Sequence, residues 1–301
     1  VFANVRRFAL AASDDGKHWI STYRKAVSSS ATVTGQWFDY GYAGGNPIPN
    51  YYASSPLEAA TLERDKGIIM PRIGASEKLW LHRWSAMSAS ASATSTTNAN
   101  QTLMLMDYLL YYPFVDMDAA GEDQAMTQTE ALGRYTDGVG VQMVVVAQSP
   151  TVGGGRFRIN YTDADDAAQV TTSMFCGAAQ PAGAIVHAVT GTGGLVPFVP
   201  LAANVRGVKS VESVNFSVAN GGLCAVVLVR PLQTMWLREE SRRTTTGTIE
   251  SFGDSAEVEA MRDRGGLVEI KDGAFIGIMG RGAAGSLASS VLTGCVETVW
   301  S

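Results

Sequence analysis

Histidine is the side chain that most often does acid–base, nucleophile-activating or metal-binding work near neutral pH, and this chain has three: His18, His82 and His187. None sits in a recognisable motif. His82 lies in LWLHRW and His187 in AIVHAVT, both strand-like contexts, and each reads as a satisfied sheet histidine. No G-x-S-x-G elbow, H-E-x-x-H pair or C-x-x-C pair is present. The three cysteines, Cys176, Cys224 and Cys295, are far apart and offer neither a disulfide framework nor zinc spacing. Their apolar neighbours predict buried free thiols, which fit a reducing compartment.

Carboxylates are the next candidates. DMDAAGED (residues 116–123) places Asp116, Asp118 and Gly121 as a calcium loop would, but Ala120 and Thr127 stand where two ligands belong. DADD (residues 163–166) follows a strand, where Asp makes turns. A hydrolase using a carboxylate pair such as Asp116 and Asp163 needs a spacing in space that sequence does not give. The glycine runs GGG (153–155) and GTGG (191–194) lack the Lys-Ser or Lys-Thr of a phosphate loop and read as turns. The expectation is therefore no catalytic residue, no metal site and no cofactor.

The strongest surface candidate is WFDYGYAGGNPIPNYY (residues 37–52). Its rings alternate with Gly, Pro and Asn. Trp37, Tyr40, Tyr42, Tyr51 and Tyr52 could anchor a protein interface, stack on a sugar, or pack on the protein's own core.

The elements that must position these residues are β-rich. TLMLMDYLLYYPFVDMD (residues 102–118) is too short and too charged to cross a membrane, since Asp107 interrupts it and Pro113 follows. Its Tyr, Phe and Val residues favour a strand buried on both faces, ending in an irregular turn at 116–121. Period-two alternation recurs at VGGGRFRINYTD after GVGVQMVVVAQSP, at VKSVESVNFSVANGGLCAVVLVRP and at LVEIKDGAFIGIM, each read as a hairpin across a glycine turn. In the second of these, residues 206–218 should pair with 223–230. SVLTGCVETVW closes the chain as a strand. Short helices are expected within residues 56–67 and 255–266. Residues 85–101, SAMSASASATSTTNANQ, are core-poor and read as a long, flexible hairpin tip or a surface loop that a neighbour orders.

These elements predict an all-β fold, a β-sandwich or jelly-roll-like architecture over residues 31–231, with an N-terminal arm (1–30) and a C-terminal β-rich extension (232–301). Length and composition agree: 301 residues, 46% hydrophobic, only 17% charged, net charge -5. No basic stretch is long enough to track a phosphate backbone; Glu239 and Glu240 interrupt the densest, around Arg238, Arg242 and Arg243. Neither nucleic acid nor membrane is expected as a partner.

Four blocks carry a resemblance. DYLLYYPFVDMD, RYTDGVGVQ, PFVPLAANVRGVKSVESVNFS and CAVVLVRPL, in that order, resemble a family of virion structural proteins of tailed bacteriophages. The likeness runs from about Tyr23 to the C-terminus; residues 87–101 are longer than the family pattern. It implies a minor capsid or head-decoration protein, or alternatively a tail, collar or baseplate component. Its partners would be major capsid or tail proteins and further copies of itself, with a trimer as one closed form. It implies assembly in the host cytoplasm, residence in the virion and no enzymatic residues. A carbohydrate-binding receptor module using residues 37–52 is the alternative from another class.

Overall fold

The apolar stretch around Asp107 becomes the longest strand of the fold. In the computed structural model, which describes residues 16–27, 35–90, 101–187, 196–237, 241–245, 248–252, 254–259, 266–282 and 290–301, it runs from Gln101 to Asp116. Nearly every residue in it is buried. Pro113 is accommodated at an irregularity in the pairing, beside Phe114 at φ 55°. Between Leu228 and Val229 of the partner strand the register slips by one, so Leu109 is an extra residue. This bulge explains the phase change near Asp107: Leu103 and Leu105 share a face with Leu110 and Tyr112, while Met104, Met106, Tyr108 and Tyr111 occupy the other.

In chain order the strands are β1 (His18–Ala26), β2 (Trp37–Asp39), β3 (Gly44–Asn46), β4 (Ala60–Thr61), β5 (Leu79–Ser90), β6 (Gln101–Asp116), β7 (Asp123–Ala125), β8 (Gln142–Ala147), β9 (Arg156–Asp163) and β10 (Ala168–Val170). The second half supplies β11 (Met174–Phe175), β12 (Val208–Phe216), β13 (Leu223–Trp236), β14 (Ser241–Thr245), β15 (Thr248–Phe252), β16 (Asp254–Glu259), β17 (Val268–Ile270), β18 (Phe275–Gly282) and β19 (Ser290–Trp300). All pairings between these strands are antiparallel.

The central sheet is ordered β2-β18-β6-β13-β8, with β4 added on β6. One of its faces is covered by two sheets. A sheet ordered β16-β5-β19-β1-β3, with β17 also on β5, packs Leu81, Trp84 and Val296 against Leu103, Leu105 and Ile278. A sheet ordered β10-β9-β12-β7, with β11 on β9, packs Ile159, Val214 and Phe216 against Leu110, Val226 and Leu228. The third core lies on the opposite face, where Trp37 and Tyr52 join Met106, Tyr108 and Val227. The fold is all-β and sandwich-like, as expected.

Several expectations are corrected. The segments read as hairpins are arches. β8 and β9, β12 and β13, and β17 and β18 each leave one sheet and enter another. Val214 and Phe216 do meet Val226 and Leu228, but across the core and not side by side. Residues 217–222 carry the chain over, with Gly221 and Gly222 at φ 68° and 88°.

The expected helix within 255–266 begins as β16. Its Ala256 and Val258 pack on the core while Glu257 is exposed, a period of two that edge pairing with β5 selects over weak helix propensity; residues 260–265 lie outside the description. The helix expected within 56–67 reduces to a 3₁₀ turn at Arg64–Lys66, preceded by Leu57 at φ 60°, a conformation no helix tolerates. The loop expected at 85–101 starts as strand: β5 reaches Ser90, and Ala86 and Ser88 are buried. Residues 91–100 lie outside the description.

Strands also run across the expected boundaries of the arm and the extension. β1 pairs along its whole length with β19, and β13 passes straight through Pro231. Residues 1–15 of the expected arm, Arg238, Glu239 and Glu240 of the densest basic stretch, and the glycine run at 191–194 are outside the description.

Candidate functional site

Residues 37–52 are tied down by one carboxylate. β2 pairs with β18 and turns Trp37 and Asp39 towards the third core. Asp39 is fully buried; its carboxylate accepts hydrogen bonds from the hydroxyl of Tyr52, from Tyr108 (3.0 Å) and from the Gly41 N–H (2.8 Å). Burial raises its pKa, and these donors, with the nearby Lys25 ammonium, oppose the rise. Lys25 is itself buried and donates to the carbonyls of Ala43 (3.0 Å) and Pro47 (2.7 Å).

The surface assignment of the aromatic residues is therefore corrected. Trp37, Tyr40 and Tyr52 are core residues, 0%, 1% and 1% exposed. Tyr42 is half-buried between Tyr51 and Tyr52, and Tyr51 alone is exposed. One free ring leaves little surface for stacking on a sugar. The order of the segment comes from polar groups that the core must satisfy.

Lys25 gives this network a pH signature. Burial lowers its pKa to about 8, from 10.5. Between those values the unfolded chain binds more protons than the native one, so this residue's contribution to stability rises with pH across the window. The stability difference between wild type and Lys25→Met should shift in favour of wild type from about pH 8 to about pH 10, read by urea denaturation. A difference that stays flat would show that Lys25 is not desolvated.

The acidic turns behave as turns. Asp116 accepts from the Asp118 N–H (2.9 Å), and Asp118 from the Gly221 N–H (2.7 Å). Asp163 accepts from the N–H groups of Asp165 (2.8 Å) and Ala167 (3.0 Å) and from Gln169 (2.8 Å), and these bonds hold its pKa below the usual carboxylate range. Asp165 and Asp166 pair with Arg206 and Lys209. Cys176 and Cys224 are buried free thiols as expected, and Cys295 is partly exposed. His187 is not in a strand. It follows the bridges at Ala184 and Ile185, edge-on to Phe157, and burial lowers its pKa to about 4.

Two features went unread in the sequence. The first is an open edge. β3 covers β1 only at Arg24–Ala26, so among the described residues the edge at 18–23 has no strand beside it. Trp19, Ile20 and Ile69 are 45%, 52% and 57% exposed there. A groove of about 750 Å³ runs between Trp19, Ile69, Met70, Pro71 and Trp300. The second is a cluster on the outer face of the same sheet, where His18 of β1, His82 of β5 and Glu297 of β19 converge. Burial lowers the pKa of His82, against the pull of Glu297 and Glu259. The signal for this cluster was the rhythm of LWLHRWSA: Leu79 and Leu81 point inward, then Trp84 and Ala86, which puts two residues, His82 and Arg83, outward in succession.

Comparisons with protein-family models, with curated proteins and with solved structures give no match to this chain. Among the described residues no helix is long and apolar enough to cross a membrane.

Proposed function

We propose that this chain is a structural component of a tailed-phage virion, acting by contact and not by turnover, and that it decorates or stabilises the head. The observation that carries this reading is the edge of β1 at residues 18–23, which has no strand beside it among the described residues. Its backbone presents N–H and C=O groups to any added strand, and natural sheets usually blunt such edges with charge or proline. Here the exposed side chains of Trp19, Ile20 and Ile69 lie beside it, at a groove that Glu63, Arg64, Asp65, Pro71 and Arg72 also line. A strand added at this edge would satisfy the backbone and bury those side chains together. The occupant we assign is a second copy of this chain, so that copies form a closed ring and engage the major capsid protein with many weak contacts at once. The resemblance in the four sequence blocks, the low charge and the buried reduced thiols Cys176 and Cys224 support the same reading, with assembly in the host cytoplasm. A tail, collar or baseplate position would use the same edge and differ only in its neighbour.

Light scattering on the purified chain tests this. Wild type should be oligomeric at about tens of micromolar, with an interface above about 1,000 Å². Trp19→Asp combined with Ile69→Asp should give monomers whose circular dichroism and unfolding midpoint match wild type, since both residues are exposed. A wild type that is monomeric at every concentration, or an oligomer indifferent to the two changes, would overturn the edge assignment.

A further inference from the structure

We propose that His18, His82 and Glu297 form a binding site for a divalent transition-metal ion of the zinc class, which ties three adjacent strands together at the open edge. The assignment is independent of the virion role and rests on how the three strands are aligned.

β19 lies between β1 and β5. Glu297 is opposite Ile20 on one side and Arg83 on the other, so its side chain points to the outer face with theirs. His18 is two residues from Ile20 and shares that face. His82 would normally point inward, because its neighbour Arg83 points out. The pairing slips at this point: Glu297 is opposite Arg83, and Thr298 is opposite Leu81. His82 is the extra residue of a β-bulge, and the bulge turns it outward beside Glu297. Bulges commonly re-aim a side chain in this way. On the far side of β5 the pairing also breaks at this point: β16 pairs as far as Arg83 and β17 starts at Leu81.

The resulting atoms suit a metal. His18 Nε2 is 3.4 Å and His82 Nδ1 4.0 Å from Glu297 Oε2, and all three ligand atoms lie within 4.8 Å of one another. Tetrahedral ligands at about 2.0–2.2 Å from zinc stand roughly 3.4 Å apart, so closure needs side-chain movements of about an ångström. His18 Nε2 is a buried atom without a hydrogen-bond partner. The other carboxylate oxygen of Glu297 pairs with Arg83, which fixes the carboxylate with Oε2 towards the imidazoles, the kind of outer support that metal-binding carboxylates receive. Arg83 also brings a positive charge close to the site; Glu257, at 3.4 Å from it, offsets that charge. Glu297 is 5% exposed and the side chains of His18 and His82 are 27% and 20% exposed, with the ligating nitrogens themselves buried, so an ion here would sit just beneath the surface. Two imidazoles and one carboxylate select zinc, cobalt, nickel or iron over calcium and magnesium, which prefer oxygen.

The test uses the full chain freed of metal with a chelator, then titrated with Zn²⁺ or Co²⁺. Wild type should bind one equivalent. Co²⁺ should give the intense visible absorption of a tetrahedral site. The unfolding midpoint should rise by about 4 °C when Zn²⁺ is at about 100 times its Kd. His18→Asn and His82→Asn, both at partly exposed positions, should each fold with the wild-type midpoint in chelator and lose the Co²⁺ spectrum and the midpoint shift. Cys295→Ser should keep both, which separates this site from binding at the neighbouring thiol. Magnesium should have no effect. Absence of stoichiometric binding, or binding that survives both histidine changes, would overturn the proposal.

Discussion

Asp107→Ala should lower stability by about 3–5 kcal/mol, the usual result of removing one partner from a buried ion pair. Asp107 is fully buried in the middle of β6, between Leu105 and the bulge at Leu109, where the cores under the two covering sheets meet. Arg134 reaches it with two hydrogen bonds, at 3.0 and 2.8 Å, and also donates to the Tyr108 carbonyl at 3.0 Å. The Phe275 N–H donates a third hydrogen bond to the Asp107 carboxylate, at 3.2 Å. Alanine would leave Arg134, whose side chain is only 15% exposed, without its counter-charge. Burial outweighs that pairing and raises the Asp107 pKa to about 6, from 3.8. Because the native state holds this proton more tightly, the contribution is present below about pH 4 and lost as pH rises through about 6. Wild type should therefore gain relative to Asp107→Asn on going from about pH 7 to about pH 4. Urea denaturation at the two pH values measures both effects, and a loss below about 1 kcal/mol for Asp107→Ala would show that the pair is dispensable.

Leu105→Ala should cost about 2–5 kcal/mol. Leu105 is 0% exposed and lies in the core between β6 and the sheet that contains β5 and β19. It is flanked in register by Ile278 of β18 and Gln233 of β13, so both neighbouring strands restrict collapse into the cavity. The cost should therefore fall in the upper part of that range, read from denaturation midpoints at constant slope. A value below about 1 kcal/mol would mean that the site closes or that the residue is exposed.

The strand character of β6, its burial on both faces and the all-β class were legible because Tyr111, Tyr112, Phe114 and Val115 favour a strand and Pro113 stops a helix. The irregular turn after Asp116 and the turn role of Asp163 were legible for a similar reason: Asp side chains bond to their own backbone over two residues, a purely local property. Sheet membership was not. Two alternating segments joined through glycine look the same whether they pair side by side or face each other across a core, because period two reports only that one face is apolar. β12 and β13 illustrate this: Phe216 and Leu228 fill one core from opposite layers.

The aromatic run at 37–52 misled for a related reason. Gly, Pro and Asn suggested an exposed loop, but the buried partners of Asp39 are Tyr52 and Tyr108, and Tyr108 is 69 residues away from it in sequence. The His18, His82 and Glu297 cluster was the least legible part. It joins both ends of the chain with its middle through a bulge, which appears in sequence only as a lapse in alternation at His82 and Arg83.

The virion role stands or falls on where the β1 edge lies in an assembled particle. An electron-microscopy reconstruction that traces this chain measures it directly. The account predicts repeated copies on the head surface, each with residues 18–23 of β1 and the rings of Trp19 and Trp300 covered by a neighbouring copy. A particle that lacks the chain, or one in which that edge faces solvent in every copy, would contradict it.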